Sequence, residues 1–236
     1  MAFETTNWDL VDDLSDKSDD KRHKALSELT NRTWKPVYVY LRAQGYSVDH
    51  ADELTQGFFC HVIEKELMNR ANKDKGKFRS FIIGVLKKFC SDVKDYKNAQ
   101  KRSPQERLIS LESIEGVENY LSSHLEEDPQ KIFLRTWAQN LLERILHKLK
   151  EESEVYNKPH FYDLIHKLYF QQTSQKTSYK ELANQHGLTL DQIGNDLRTA
   201  KNLYSNILRD EISQTIGNQS DVDQEIREII AILQNK

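Results

Sequence analysis

Phe133, Trp137, Leu141, Ile145 and Leu149 recur at every fourth position, and Leu134, Leu142 and Leu146 widen the same stripe. A strand alternates faces every two residues, whereas a helix turns about 100° per residue, so this spacing gathers an apolar face only on a helix. Little in the chain interrupts such helices: its 236 residues include four prolines and eight glycines, the usual breakers. The expected fold class is all-α, with two helical domains joined by an acidic linker, the second containing a helix-turn-helix.

Local signals set the expected boundaries. Helices are expected over 21–33 and 36–44, because Pro36 suits a first turn and Gly45 a stop. Two more are expected over 49–68 and 77–102. Asp128-Pro129 reads as an N-cap followed by proline at the first helical position, opening a helix to about Lys150. A further helix is expected over 161–170. Ser178 with Glu181, and Thr189 with Gln192, have the spacing of capping boxes, and Gly187 between them supplies the tight turn of a helix-turn-helix. In the second helix of that pair Leu190, Ile193, Leu197, Ala200, Tyr204, Ile207 and Leu208 are expected to face inward, and Gln192, Asn195, Asp196, Arg198 and Thr199 outward. The last helix, 222–233, places Val222, Ile226, Ile229, Ile230 and Leu233 on one face. The expected organisation is an acidic segment 1–20, a first domain 21–102, a linker 103–128 with a short helix near Val117–Leu121, a second domain 129–215 and a terminal helix within 216–236.

Several classes are set aside. Cys60 and Cys90 have no paired spacing, so they read as small buried residues in a reducing compartment. Neither a signal-like run nor the roughly 20 apolar residues of a bilayer span is present, so no membrane partner and a cytoplasmic, nucleoid-associated location are expected. The chain lacks GxxxxGK[ST], GxSxG and HExxH. Its eight histidines are scattered; His160 and His166 flank an apolar helix without thiolate companions. Neither an enzyme nor a metal or cofactor site is expected.

The net charge of −3 identifies no partner, but its distribution is uneven. Residues 77–102 carry eight basic and two acidic side chains, a net +6, and 103–128 carry one basic and seven acidic, a net −6. On a helical projection Phe78, Ile82, Val85, Phe89, Val93 and Tyr96 share one side; Lys87, Lys94 and Lys101 fall opposite, with Arg79 and Lys97 on the flank. Phosphates favour such a cationic row because each contact releases condensed counterions, and Tyr96 at its edge could stack on an unpaired base. The other reading is a solvated face of an amphipathic helix. Over 177–212 four basic residues meet five acidic ones, a weak footprint for DNA that suits a packing or protein-docking module equally.

The run SVDHADELTQGFFCHVIEK at 47–65, followed by GKFRSFIIGVLKKFCSD at 76–92, resembles the promoter-binding domain of sigma factors of the extracytoplasmic-function type. TSYKELANQHGLTLDQIGNDL at 177–197 stands where that family keeps its C-terminal helix-turn-helix, and FETTNWDLV at 3–11 and AQKR at 99–102 resemble a long-form branch. The resemblance implies that Asp49, Asp52, Glu53, Leu54, Gln56 and Phe58 dock on the coiled coil of the large subunit of core RNA polymerase. It implies that Lys77, Arg79, Lys87, Lys88, Lys94, Tyr96, Lys97, Lys101 and Arg102 hold promoter DNA, including a flipped base of the melted non-template strand. The acidic linker would lie in the RNA exit path. The second domain would meet the polymerase flap and the upstream promoter element, with Ser178, Gln192, Asn195, Arg198 and Lys201 as its DNA or partner contacts. Gly57 stands where the family often has Glu, Lys88 where it often has Asn, and Gly194, Asp196 and Thr199 where cations are usual. A further DNA-targeting or inhibitory protein is therefore expected. The alternative function is a helical regulator or adaptor that binds proteins and contacts nucleic acid nonspecifically.

Overall fold

In the computed structural model of the chain, the residues described are 13, 18–64, 76–97, 117, 118, 121, 127–171, 177–216 and 221–234. Every regular element among them is helical: α1 (Asp19–Ala43), α2 (Val48–Glu64), α3 (Phe78–Lys97), α4 (Pro129–Val155), α5 (His160–Ile165) with a π-helical turn (His166–Phe170), α6 (Tyr179–His186), α7 (Leu190–Ser213) and α8 (Val222–Gln234). None of these helices is long and apolar enough to cross a membrane. Two compact units result: Met1–Gln139 with Ser213–Lys236, and Asn140–Ile212. The division falls within α4, and α8 groups with the first unit, whereas the sequence suggested a break at 103–128.

In the first unit α1 packs on α2, and α2 on α3. The two helices expected over 21–33 and 36–44 are one. Pro36 lies inside α1, where its missing N–H and its ring together cost a helix about 3 kcal/mol. Pro36 and the five residues that follow, Val37 to Leu41, are all buried, and that apolar burial, roughly 1.5–3 kcal/mol per large side chain, offsets the lost backbone bond. Gly45 stops the helix as expected: at φ 89° it donates its N–H to Arg42 O at 2.9 Å. The aromatic centre is Phe58, whose ring meets Phe59 and Phe89 edge-on at 5.3 and 5.7 Å. Cys90 is buried as expected, but Cys60 is only half-buried. Val117 and Leu121 are fully buried, and Glu118 accepts hydrogen bonds from Arg42 Nε (2.7 Å), Arg42 Nη2 (2.6 Å) and Tyr38 Oη (2.7 Å). Val117 and Leu121 thus belong to a packed core, with Glu118 half-buried beside them, within the segment expected to be an acidic linker with a short helix there.

The second unit contains the pattern most legible in the sequence. Leu141, Ile145 and Leu149 of α4 are buried there, as Phe133 and Trp137 are in the first unit. Leu149 joins Phe161, Leu164, Leu182, Ile193 and Leu197 in one cluster. Asp128 caps α4, accepting from Gln130 N at 3.0 Å. Both expected capping boxes form. Ser178 Oγ accepts from Glu181 N while the Glu181 carboxylate accepts from Ser178 N. Gln192 N donates to Thr189 Oγ1 at 3.2 Å, and Thr189 N donates to Gln192 Oε1 at 2.8 Å. Gly187 takes the left-handed conformation, φ 64°. The helix expected over 161–170 instead changes at His166 to the wider π turn, which closes with Gln171 N donating to His166 O. Phe170 at its end packs edge-on against Tyr204.

The hydrogen bonds from Arg42 hold the Glu118 carboxyl below its usual range. A carboxylate held low stabilises the fold above its unfolded pKa, near 4.3, and that contribution is lost as pH falls through the folded value. Glu118→Gln is therefore expected to cost about 1–3 kcal/mol at neutral pH, measured by urea unfolding. The gap to the parent chain should close as the solution is acidified below about pH 4.

Candidate functional site

The start of α3 is where the cationic row and the rest of the fold meet. Lys77 immediately precedes the helix and Arg79 lies in its first turn, where the projection placed Arg79 on the solvated flank. It is instead 5% exposed. Its guanidinium pairs with Glu225 and with Glu228 at 2.9 Å, both on α8, and lies 5.5 Å over the ring of Trp137. Lys77 pairs with the same two carboxylates, meeting Glu225 at 2.8 Å. Burial pulls the Arg79 guanidinium below its usual pKa, and Glu228 works against that shift. The hydrogen bond from Lys77 holds the Glu228 carboxyl low.

The face of α8 that produces this arrangement differs from the expected one. Val222, Glu225 and Ile229 are the buried positions, and Ile230 is exposed. An apolar count passes over Glu225 because it sits, charged, at the helical spacing of the two apolar residues beside it. The sequence signal was available only in combination, as an acid on a buried face and an arginine next to a buried Phe78.

The remaining α3 cations behave differently. Lys87 is exposed and donates to Gln130 Oε1 at 2.7 Å; Lys88 is exposed and pairs with Asp92. Ile83, Leu86 and Cys90 are buried alongside Phe78, Ile82 and Phe89, a broader apolar face than the one expected. The side chains of Lys94, Tyr96 and Lys97, and all of Lys101 and Arg102, lie outside the described residues.

On α2 the expected docking residues separate into two groups. Asp49 and Glu53 are exposed, and Leu54 is half-buried. Asp52, Gln56 and Phe58 are buried, Phe58 completely. Asp52 accepts from Gln56 Nε2 at 3.2 Å, while its other carboxylate oxygen is buried with no hydrogen bond from the described residues. Gly57 carries no steric requirement, since a Cβ there would sit at an ordinary 3.7 Å from Phe89.

In the second unit Ser178, Gln192, Asn195, Arg198 and Lys201 are all exposed. Ser178 and Gln192 are engaged in the caps, and Lys201 lies 5.2 Å over the Tyr169 ring. Two expectations are corrected. Leu190 is 57% exposed at the first position of α7, and the buried face begins at Ile193. Asp196 is half-buried and does not project outward, because His160 Nε2 reaches it at 2.7 Å and Lys158 Nζ at 3.3 Å. Asp163 is held in the same way by His186 at 3.1 Å and Lys167 at 2.9 Å. Among the described residues no three metal-ligating side chains gather.

Removing one partner of a buried ion pair leaves an uncompensated charge, at about 3–5 kcal/mol. Arg79→Ala is expected to lower unfolding stability by that amount in a urea titration. Lys87→Ala should change it by less than about 0.5 kcal/mol.

No family model matches this chain, and neither a curated protein nor a solved structure does.

Proposed function

We propose that the chain is a sigma factor that binds core RNA polymerase and directs promoter recognition and strand opening. The observation that carries the reading is an adjacency within the first unit. The exposed carboxylates of Asp49 and Glu53 stand on α2, which packs on α3, and α3 presents Lys87 and Lys88 to solvent. A protein surface of one sign beside a phosphate-binding surface of the other is what a factor joining polymerase to DNA requires. The order of the two sigma-like runs at 47–65 and 76–92, and of the capped helix pair α6–α7 after them, supports the same reading.

Docking on the polymerase coiled coil then runs through Asp49 and Glu53 with Leu54 at the edge; Asp52, Gln56 and Phe58 shape that helix from below. Opening DNA requires no covalent chemistry. Unstacking a base costs a few kcal/mol, which binding of the separated strand must exceed. The α6–α7 pair forms the helix-turn-helix of a second domain. Its exposed Gln192 and Asn195 have the chemistry to read adenine in a major groove. Asp196 is paired with Lys158 and hydrogen-bonded to His160, which lessens its repulsion of phosphate. Exposed Arg198 and Lys201 stand on α7 as well, but over 177–212 four basic residues meet five acidic ones, so upstream contact is weak and another protein assists it.

The second reading is a helical adaptor that binds proteins, favoured by the tying of Lys77 and Arg79 to carboxylates of the same chain. Transcription separates the two: with core RNA polymerase and promoter DNA, a sigma factor yields promoter-specific transcripts and an adaptor yields none. Under the sigma reading, Asp49→Lys with Glu53→Lys is expected to weaken association with core polymerase at least about tenfold, equivalent to 1.4 kcal/mol. Unchanged association would remove α2 from the docking surface.

A further inference from the structure

A groove of about 680 Å³ runs beside the start of α3. Lys77, Arg79, Ser80, Lys87 and Gln130 line it together with Glu228 of α8. Its cations are those expected to hold phosphate, yet an internal carboxylate already occupies part of it. The two α8 carboxylates differ in exposure. The Glu225 side chain is 0% exposed and the Glu228 side chain 39%. Glu225 therefore fixes α8 against α3, while Glu228 stands at the groove mouth within reach of solvent.

We infer that Glu228 is an internal competitor for nucleic-acid phosphate, so that α8 restrains strand binding at the start of α3 in the free chain. This rests on the proposed nucleic-acid role of α3. A phosphate oxygen and the Glu228 carboxylate present the same charge and the same acceptors to Lys77 Nζ and Arg79 Nη2. Both hydrogen bonds now go to the carboxylate, so a phosphate must displace it. Lys87 lines the same groove but among the described residues is held only by a neutral amide, so it remains open to a strand from the outset. Displacing Glu228 leaves Lys77 and Arg79 facing Glu225 alone, two cations against one carboxylate, so one net positive charge becomes available to the phosphate. The full electrostatic grip therefore forms only when the carboxylate moves aside, which a partner drawing on α8 would promote.

The test uses the full chain and a fluorescein-labelled oligothymidylate. Glu228→Gln keeps the size and the hydrogen-bonding shape of the side chain, and Glu154→Gln removes the same charge from an exposed position in the other unit. An unchanged circular dichroism spectrum and melting curve establish that each variant is folded. One added phosphate contact releases about 0.7 counterion on a single strand, which predicts about fivefold tighter binding at 0.1 M salt and a log–log salt slope steeper by about 0.7. Glu228→Gln should show both changes relative to Glu154→Gln, and adding Lys77→Gln should cancel them. Equal binding by the Glu228 and Glu154 variants overturns the inference while leaving the nucleic-acid role of α3 intact. A gain that survives Lys77→Gln is a general charge effect and overturns it as well. If neither the parent chain nor any variant binds the oligonucleotide, the nucleic-acid reading of α3 fails and the inference falls with it.

Discussion

Lys77, Arg79, Glu225 and Glu228 hold the first unit together across nearly 150 residues of chain. Two charges taken from water cost several kcal/mol each, and only close partners return that energy. Here each cation meets both carboxylates, and Trp137 closes over the guanidinium. The result constrains three elements at once: the start of α3, the first half of α4 and the buried face of α8. Loop-closure entropy grows only slowly with the length of chain between the partners, so such a distant clasp is thermodynamically tolerable. Its specificity comes from the heavy penalty for leaving any one member unpaired.

The same clasp alters how the basic helix acts. A row of cations on a projection is a single surface, but in the folded chain it is divided by its partners. Among the described residues Lys77 and Arg79 are engaged with acids, Lys88 with Asp92, and Lys87 only with a glutamine amide. Charge that is internally compensated contributes little to counterion release. In the proposed strand-binding role, affinity would be set by which carboxylates can be displaced, as well as by the number of lysines. Arg42 and Glu118 repeat the principle in the first unit, and Asp196 with His160 and Lys158 in the second.

What could be read from the sequence was local. The four-residue repeat from Phe133 to Leu149, both capping boxes and the stops at Gly45 and Gly187 depend on residues within one or two turns, and each formed as expected. The misreadings were tertiary. Pro36 marks a helix start by propensity, but burial of the following residues carries α1 through it. Glu118 lay in a strongly acidic stretch, and nothing local to it named Arg42, 76 residues away, as its partner. The expected docking row on α2 divided because a helix face one residue wide separates exposed Asp49 and Glu53 from buried Asp52 and Gln56. Periodicity gives which residues are neighbours along a helix; it carries no record of the partner that covers them.

The Arg79–Glu225 contact is an energetic clasp and more than a juxtaposition of charges. A double-mutant cycle with Arg79→Met, Glu225→Gln and both together, followed by urea unfolding, measures it directly. A coupling energy of about 2 kcal/mol or more is expected, with the double variant more stable than the sum of the single losses implies. Additive losses, within about 0.5 kcal/mol, would contradict it.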